Sequence, residues 1–225
     1  MECDLTRCFL CSHCMPEWKG VTASHKKTLL FKKGKALFTE GETVKGIYFL
    51  YSGVVKIHAP WMDGRELIIR VARGGEIAGH RGLGGGAVYP VSATALEDTV
   101  ACFIDNDFLE LSFKANPSLT YTLMQLYASE LQKAEKRMRD LTHMDVKGRI
   151  AWALLDILEG SGTAPDGTLA LKLTRQDIAA YAGTTYETVF KFFAELGTAG
   201  VIRTSGKDIT VDRPERLSQF VAAGA

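Results

Sequence analysis

Three cysteines stand two residues apart near the start of the chain, Cys8, Cys11 and Cys14 in C-F-L-C-S-H-C, with another thiol upstream at Cys3 and a fifth far downstream at Cys102. Thiolate sulfur is a soft, charged ligand, and spacers this short allow neighbouring sulfurs to turn toward one centre. Clustered cysteines in a reducing compartment read as metal ligands or redox sensors before they read as disulfides, and an odd count leaves one thiol over in any case. Four cysteines also suffice for a tetrahedral structural zinc, and a thiol–disulfide switch is a third chemistry. Cys102 alternates with Val100 and Ile104, so it also fits as a small buried side chain.

A second constellation begins 160 residues after Cys14. Thr174 with Asp177 three positions later is an N-terminal capping pair, and Ile178, Ala179 and Ala182 give the helix that follows a buried face. Gly183 supplies a tight turn. Thr184 or Thr185 then caps a second helix, with Glu187 in the first turn, where a carboxylate suits the helix dipole, and Val189, Phe193 and Leu196 on the buried side. V-I-R-T-S-G-K-D-I-T-V reads as a hairpin with Ser205-Gly206-Lys207 at its tip. Cap, turn and wing in this order predict a winged helix-turn-helix. In that motif the start of the second helix enters the major groove. Tyr186, Glu187, Phe190 and Lys191 are the candidate base readers, Glu for cytosine N4 and Lys for guanine or phosphate. Arg175, Arg203 and Lys207 are placed to grip the backbone, and Thr174 and Thr185, at the two helix starts, complete the DNA-contacting set. Residues 146–225 carry nine Lys or Arg and nine Asp or Glu, so contact with nucleic acid rests on local placement of charge.

The elements that must position these groups follow from the hydrophobic pattern. From Thr28 to Ile104 the chain reads as short strands broken by glycine, with turns at Ser52-Gly53 and Asp63-Gly64, which predicts a β-barrel or jelly-roll. Past Pro117 the period changes. Met124, Tyr127, Leu131, Ala134, Met138 and Leu141 recur with steps of 3, 4, 3, 4 and 3, a heptad seam that predicts a long helix pairing with its twin in a dimer, the alternative being a helix packed on its own domain. The expected class is α+β, divided into a cysteine segment (1–20), a β-roll (21–115), a dimerisation helix (116–145) and a winged helix-turn-helix (146–225). Of the 225 residues 46% are hydrophobic and 24% charged, with a net charge of +1, values that suit a globular core and exclude a polycation. No apolar run has the length of a membrane span, and M-E-C-D-L-T-R-C lacks a secretory pattern, so the cytoplasm is expected. No nucleophile–base pair or cofactor fingerprint points to an enzyme.

A β-roll, a long helix and a winged helix in that order resemble the CRP/FNR family of bacterial transcription regulators, over nearly the whole chain. The stretch L-T-R-Q-D-I-A-A-Y-A-G-T-T-Y-E-T-V-F-K-F-F-A-E-L-G-T-A-G-V-I is similar to the family's DNA-binding signature. The resemblance implies a homodimer on a palindromic operator in double-stranded DNA, working with RNA polymerase. It puts Glu187 at the family's base-reading glutamate, Lys191 where an arginine is usual, and Phe190 where the FNR branch has a small polar reader.

The resemblance also bears on the signal. Relatives that bind cyclic nucleotide carry an Arg-Ser pair late in the loop that corresponds to residues 75–99, where this chain has Pro90-Val91; His80 replaces an expected acidic ribose contact, and Arg81 is off the pattern. Gly84 to Gly86 read as turn residues. The loop is closer to the FNR branch, whose sensors hold a [4Fe–4S] cluster with three N-terminal cysteines and one from the β-roll. That implies Cys8, Cys11, Cys14 and Cys102 as ligands, with a Cys11–Cys14 gap shorter than the FNR pattern and Cys3 as a spare; two-residue spacers also serve cubane clusters in ferredoxins. An intact cluster is expected to favour the dimer, and an oxidant to dissolve it. The alternatives are a cyclic nucleotide, zinc, a thiol–disulfide switch, or haem and nitric oxide chemistry at His13, His58 or His80.

Overall fold

Alternation of apolar and polar residues between Lys27 and Asp105 resolves into two four-stranded sheets. The computed structural model describes residues 8–84 and 86–224, so Cys3 and Gly85 lie outside the described residues. Two short helices come first, α1 (Phe9–His13) and α2 (Pro16–His25). Eight strands follow: β1 (Lys27–Phe31), β2 (Ala36–Phe38), β3 (Gly46–Ser52), β4 (Val54–Pro60), β5 (Glu66–Arg73), β6 (Ile77–Ala78), β7 (Ser92–Ala95) and β8 (Thr99–Asp105). Their orders are β1-β8-β3-β6 and β2-β7-β4-β5. The expected turn between β4 and β5 is present, with positive φ at both Asp63 (62°) and Gly64 (70°), the backbone a tight reversal needs.

The central strands β3 and β8 of the β1-β8-β3-β6 sheet are buried on both faces, and their side chains alternate between two cores. Leu50 and Ala101 join Leu37, Val55, Ile57 and Ala93 in a core between the sheets. Their neighbours Phe49, Cys102 and Ile104 point the other way, into a second core with Cys8, Leu10, Cys11, Phe108, Leu109, Leu119 and Leu123. Register puts Cys102 between Thr28 on β1 and Phe49 on β3.

Helix α3 (Asn106–Ala115) is capped by Asp105, whose carboxylate accepts from the Phe108 backbone at 2.9 Å. Then come α4 (Pro117–His143), α5 (Val146–Ser161), α6 (Arg175–Ala182), α7 (Tyr186–Thr198), the hairpin β9 (Ile202–Ser205) and β10 (Asp208–Val211), and α8 (Pro214–Ala223). Two units account for the chain: residues 1–59 with 69–131, and residues 60–68 with 132–225. The long helix is shared between them rather than forming a unit of its own, its first part through Leu131 belonging to the β-roll. Among the described residues no helix is long and apolar enough to cross a membrane.

Candidate functional site

The helix-turn-helix is built from local rules. Thr174 and Asp177 form a reciprocal capping box on α6: Thr174 Oγ1 accepts from the Asp177 backbone at 3.0 Å while Asp177 Oδ2 accepts from the Thr174 backbone at 3.1 Å. Gly183 ends α6 in the left-handed region at φ 63°, a conformation that L side chains rarely adopt, and Leu141 Cδ2 packs against it. Thr185, not Thr184, caps α7, accepting from the Thr188 backbone at 3.3 Å. Val189, Phe193 and Leu196 are buried as expected, together with Phe192. That leaves Tyr186, Glu187, Phe190 and Lys191 unburied along the opposite side of α7, with the Tyr186 and Phe190 rings stacked at 6.4 Å. Hydrogen bonds from the Glu187 backbone and the Thr185 hydroxyl hold the Glu187 carboxyl below the usual carboxylate range, so it is an acceptor at neutral pH.

The backbone-contact set divides. Lys207 is exposed at the β9–β10 turn. A cleft of about 340 Å³ runs from Thr174–Gln176 past Tyr186 to Gly206 and Lys207. Arg203, expected to grip DNA, is exposed and held in a two-point pair with Asp212, Nε to Oδ2 at 2.8 Å and Nη2 to Oδ1 at 2.9 Å. Arg175 lies over the Phe193 ring at 5.7 Å and reaches Gly206 O at 3.4 Å. Both arginines brace the wing in this structure, because a carboxylate or an aromatic face lies within reach.

Two further arginines, missed in the sequence, fasten this unit together. Arg137 of α4 lies over Trp152 at 4.1 Å and donates to Tyr181 O; Arg149 of α5 donates to Ala182 O at 3.0 Å, Gly183 O at 3.4 Å, Leu141 O at 3.2 Å and Met144 O at 3.0 Å. They satisfy carbonyls that the ends of α4 and α6 leave open. Arg149 lies in the otherwise apolar stretch G-R-I-A-W-A-L-L, a faint signal, and Arg137 lies in the charged run K-A-E-K-R-M-R-D, which reads as a solvated face.

On α4 the heptad is present, with its face turned. Met124, Leu131 and Met138 are 59%, 61% and 66% exposed, Ala134 is exposed too, and Tyr121 at 57% extends the stripe. Tyr127 and Leu141, placed in the seam by spacing, turn toward their own chain: Tyr127 donates to His80 O, and Leu141 packs at Gly183.

The four candidate thiols are all buried. Cys8, Cys11 and Cys102 share one core although more than ninety residues separate Cys102 from the others, and Cys14 lies at the end of α1. Cys8 caps α1, its sulfur accepting from the Cys11 backbone at 3.5 Å. Cys14 Sγ stands 3.7 Å from Thr22 Oγ1, and burial pushes its thiol above the ordinary value, with Cys8 adding to the effect. Among the described residues no three of His, Cys, Asp or Glu are arranged to hold a metal ion, so the thiols are gathered without being closed into a ligand set. The segment is tied to the helices: Met15 N donates to Asn116 Oδ1 at 3.0 Å and Trp18 Nε1 to Ser112 Oγ at 3.1 Å. Asn116, fully buried, immediately precedes α4.

The β-roll cavity is small. It measures about 10 Å³, room for one water, and Phe38, Arg70, His80, Arg81, Tyr89 and Pro90 are among its lining. His80 is buried, neither ring nitrogen has a hydrogen-bond partner among the described residues, and burial with Arg70 and Arg81 nearby lowers its pKa to about 3. Below pH 6.5 the unfolded chain therefore binds a proton that the folded chain refuses, and stability falls with acid by about 1.4 kcal/mol per pH unit until about pH 3. Between pH 7 and 5, urea titration of His80→Gln should show about 2 kcal/mol less loss of stability than wild type. Equal losses would place the acid response elsewhere. His13 is exposed on α1 and His58 bonds Thr94 Oγ1 at 2.9 Å, so the three histidines do not meet.

Comparison with known proteins matches two domain models: a cyclic nucleotide-binding domain over residues 28–115 and a Crp-like helix-turn-helix domain over residues 148–220. A protein named CRP-like cAMP-activated global transcriptional regulator, from Mycobacterium tuberculosis, is 31% identical over 191 residues, 84% of this chain and 85% of that one. The fumarate and nitrate reduction regulatory protein of Escherichia coli is 27% identical over 192 residues, 84% of this chain and 76% of that protein. Among solved structures, FixK2 from Bradyrhizobium japonicum superposes with a TM-score of 0.76 at 28% identity, covering 89% of this chain and 99% of its own. These domains and relatives are those of transcription regulators, not of enzymes.

Proposed function

The chain belongs to the CRP/FNR family of transcription regulators and is a DNA-binding protein of that family, and we propose that it is a redox-responsive homodimer that senses through a [4Fe–4S] cluster held by Cys8, Cys11, Cys14 and Cys102 and acts at a palindromic operator with RNA polymerase. The observation that carries this reading is the gathering of Cys8 and Cys11 into one buried core with Cys102 on β8, with Cys14 buried beside it. Four thiols from two distant segments are the donor set that a cubane takes. When bound, such a cluster supplies oxidant-sensitive chemistry at that core.

The chain's own residues carry a change in the thiols to the DNA. Met15, next to Cys14, is bonded to Asn116 at the start of α4, and Leu10 packs in one core with Leu119 and Leu123. A shift of the cysteine segment therefore acts on the end of the helix that carries the exposed Met124–Leu131–Met138 stripe. Pairing of two such stripes would bring two α7 helices to one palindromic site, as half-sites one helical turn apart require. A cyclic nucleotide is the competing signal, favoured by the domain match and by the name of the M. tuberculosis relative. Against it stand Pro90-Val91 in place of an Arg-Ser pair and a cavity with room for one water.

The test is metal and sulfide analysis of anaerobically purified protein, with operator affinity measured before and after air and with cyclic AMP added. Iron and sulfide, air-sensitive binding and no response to cyclic AMP are expected. Stoichiometric zinc, or binding that needs cyclic AMP, would sink the reading.

Sequence reading is assigned to Glu187 and Lys191, and phosphate contact to Lys207. Glu187→Ala should relax preference at one base pair per half-site, by about 1–3 kcal/mol. Lys207→Ala should weaken all sequences alike and reduce the salt slope by about one unit. Binding to a selected operator and its single-base variants across a salt series checks both. An unchanged ranking of variants with Glu187→Ala would move the reading to Tyr186, to Phe190 against a thymine methyl, or to DNA shape.

A further inference from the structure

Two side chains on one side of α4, three residues apart, grip a single loop of the β-roll. Tyr127 donates its hydroxyl to the His80 carbonyl, and its ring meets the His80 ring edge-on at 5.4 Å. Glu130 is 8% exposed and accepts from two guanidiniums, Arg70 Nη1 on Oε1 at 3.2 Å and Arg81 Nη2 on Oε2 at 3.4 Å. Arg70 comes from β5 and Arg81 from the loop after β6, so the β-roll brings two cations from separate segments onto one point. Arg70 is itself fixed by Glu76 at 3.3 Å and by the Ile77 carbonyl. The polar capacity around that point is not used up: Arg70 Nε and both His80 ring nitrogens are buried with no hydrogen-bond partner among the described residues.

A buried carboxylate is costly unless paired, and one on the apolar side of a helix, in line with Leu119, Leu123 and Leu126, needs a reason to be there. Arg70 and Arg81 balance Glu76 and Glu130; without Glu130 one positive charge is left over. We propose that Arg70 and Arg81 form an anion site in the β-roll and that Glu130 is its tethered ligand. The helix does from within what a diffusible anion would otherwise do: it fills the site and so fastens α4 to the sensor domain. Emptied of Glu130, the site has the charge and donors for a small carboxylate. The consequence for DNA binding rests on the reading of α4 as the dimer helix; the existence of the site does not.

The experiment is chemical rescue. Glu130→Ala removes the carboxylate, and acetate or propionate returns it from solution. Thermal midpoint and operator affinity are measured against acetate, with chloride as the control at equal ionic strength and pH. Glu130→Ala is expected to have a lower midpoint and at least about tenfold weaker operator binding, since breaking a buried pair leaves charge uncompensated. Acetate should raise its midpoint along a saturating curve and recover affinity, with no effect on wild type or on Glu130→Ala/Arg81→Ala. Equal effects of chloride and acetate, or an alanine variant that matches wild type, would overturn the proposal. Should Glu130→Ala fail to fold, Glu130→Gln decides: it keeps the acceptor oxygen without the charge, so weaker operator binding is expected, and wild-type affinity would overturn the proposal. The midpoint measurement uses no DNA. A rescued midpoint without a change in operator binding would therefore keep the anion site and overturn its coupling to α4.

Discussion

Cys102→Ala, purified without oxygen, is expected to be colourless where wild type is brown, and to bind an operator no better than air-exposed wild type. The expected loss is complete, from about four irons per chain, the content of one cubane, to none. Cys102 is the discriminating position because it lies on β8, outside the C-F-L-C-S-H-C segment. A metal held by the N-terminal thiols alone would survive its loss. The substitution is also mild for the fold: it removes one sulfur from a core lined by Phe49 and Ile104, and the backbone pairing of β8 with β1 and β3 is untouched. A variant with wild-type thermal stability and no iron would therefore report ligation, not unfolding. Cys8→Ala, Cys11→Ala and Cys14→Ala should behave alike, and Cys3→Ala should keep its colour. Full iron in Cys102→Ala would return Cys102 to the role of a small core side chain. Iron lost in Cys3→Ala but kept in Cys14→Ala would exchange those two ligands.

What was legible in the sequence was what local chemistry decides. The Thr174–Asp177 box, the Gly183 turn and the β9–β10 hairpin depend on residues within a few positions of one another, and the structure has each where the spacing put it. The meeting of Cys102 with the N-terminal thiols came only from a family resemblance, since nothing local brings residues more than ninety positions apart together. The seam shows the limit of periodicity. Spacing fixed a stripe on α4, while Tyr127 and Leu141 were claimed by His80 and Gly183, partners remote in sequence. Glu130 carries no sequence signal for the converse reason: a charged residue reads as solvated, and this one continues the buried line through Leu123 and Leu126. Arg203 reads as a DNA contact from its place in the wing, and its pairing with Asp212 nine residues on is a contact that spacing does not reveal.

Leu131→Glu should dissociate the dimer. Leu131 is 61% exposed between Met124 and Met138, the centre of an apolar stripe that the chain's own core does not cover. Leucine and glutamate have similar helix propensities, and an exposed substitution changes folding stability by about 0.5 kcal/mol or less, so the single chain should fold normally. In a two-fold pairing each residue near the axis faces its own copy, so the variant sets two carboxylates against each other in a seam with little water. Leaving even one such group unpaired costs on the order of 2–4 kcal/mol, a loss of about 30-fold to 1000-fold in association. DNA binding should fall with it, because one chain engages one half-site and the advantage of two tethered half-sites disappears. Leu111, 57% exposed on α3 and outside the stripe, provides the control: Leu111→Glu introduces the same charge and should leave association intact. Sedimentation equilibrium of the anaerobic protein, with binding to full and half operators, measures both effects. Dissociation of Leu111→Glu in place of Leu131→Glu would put the subunit contact on α3, and a Leu131→Glu dimer as tight as wild type would remove α4 from the interface.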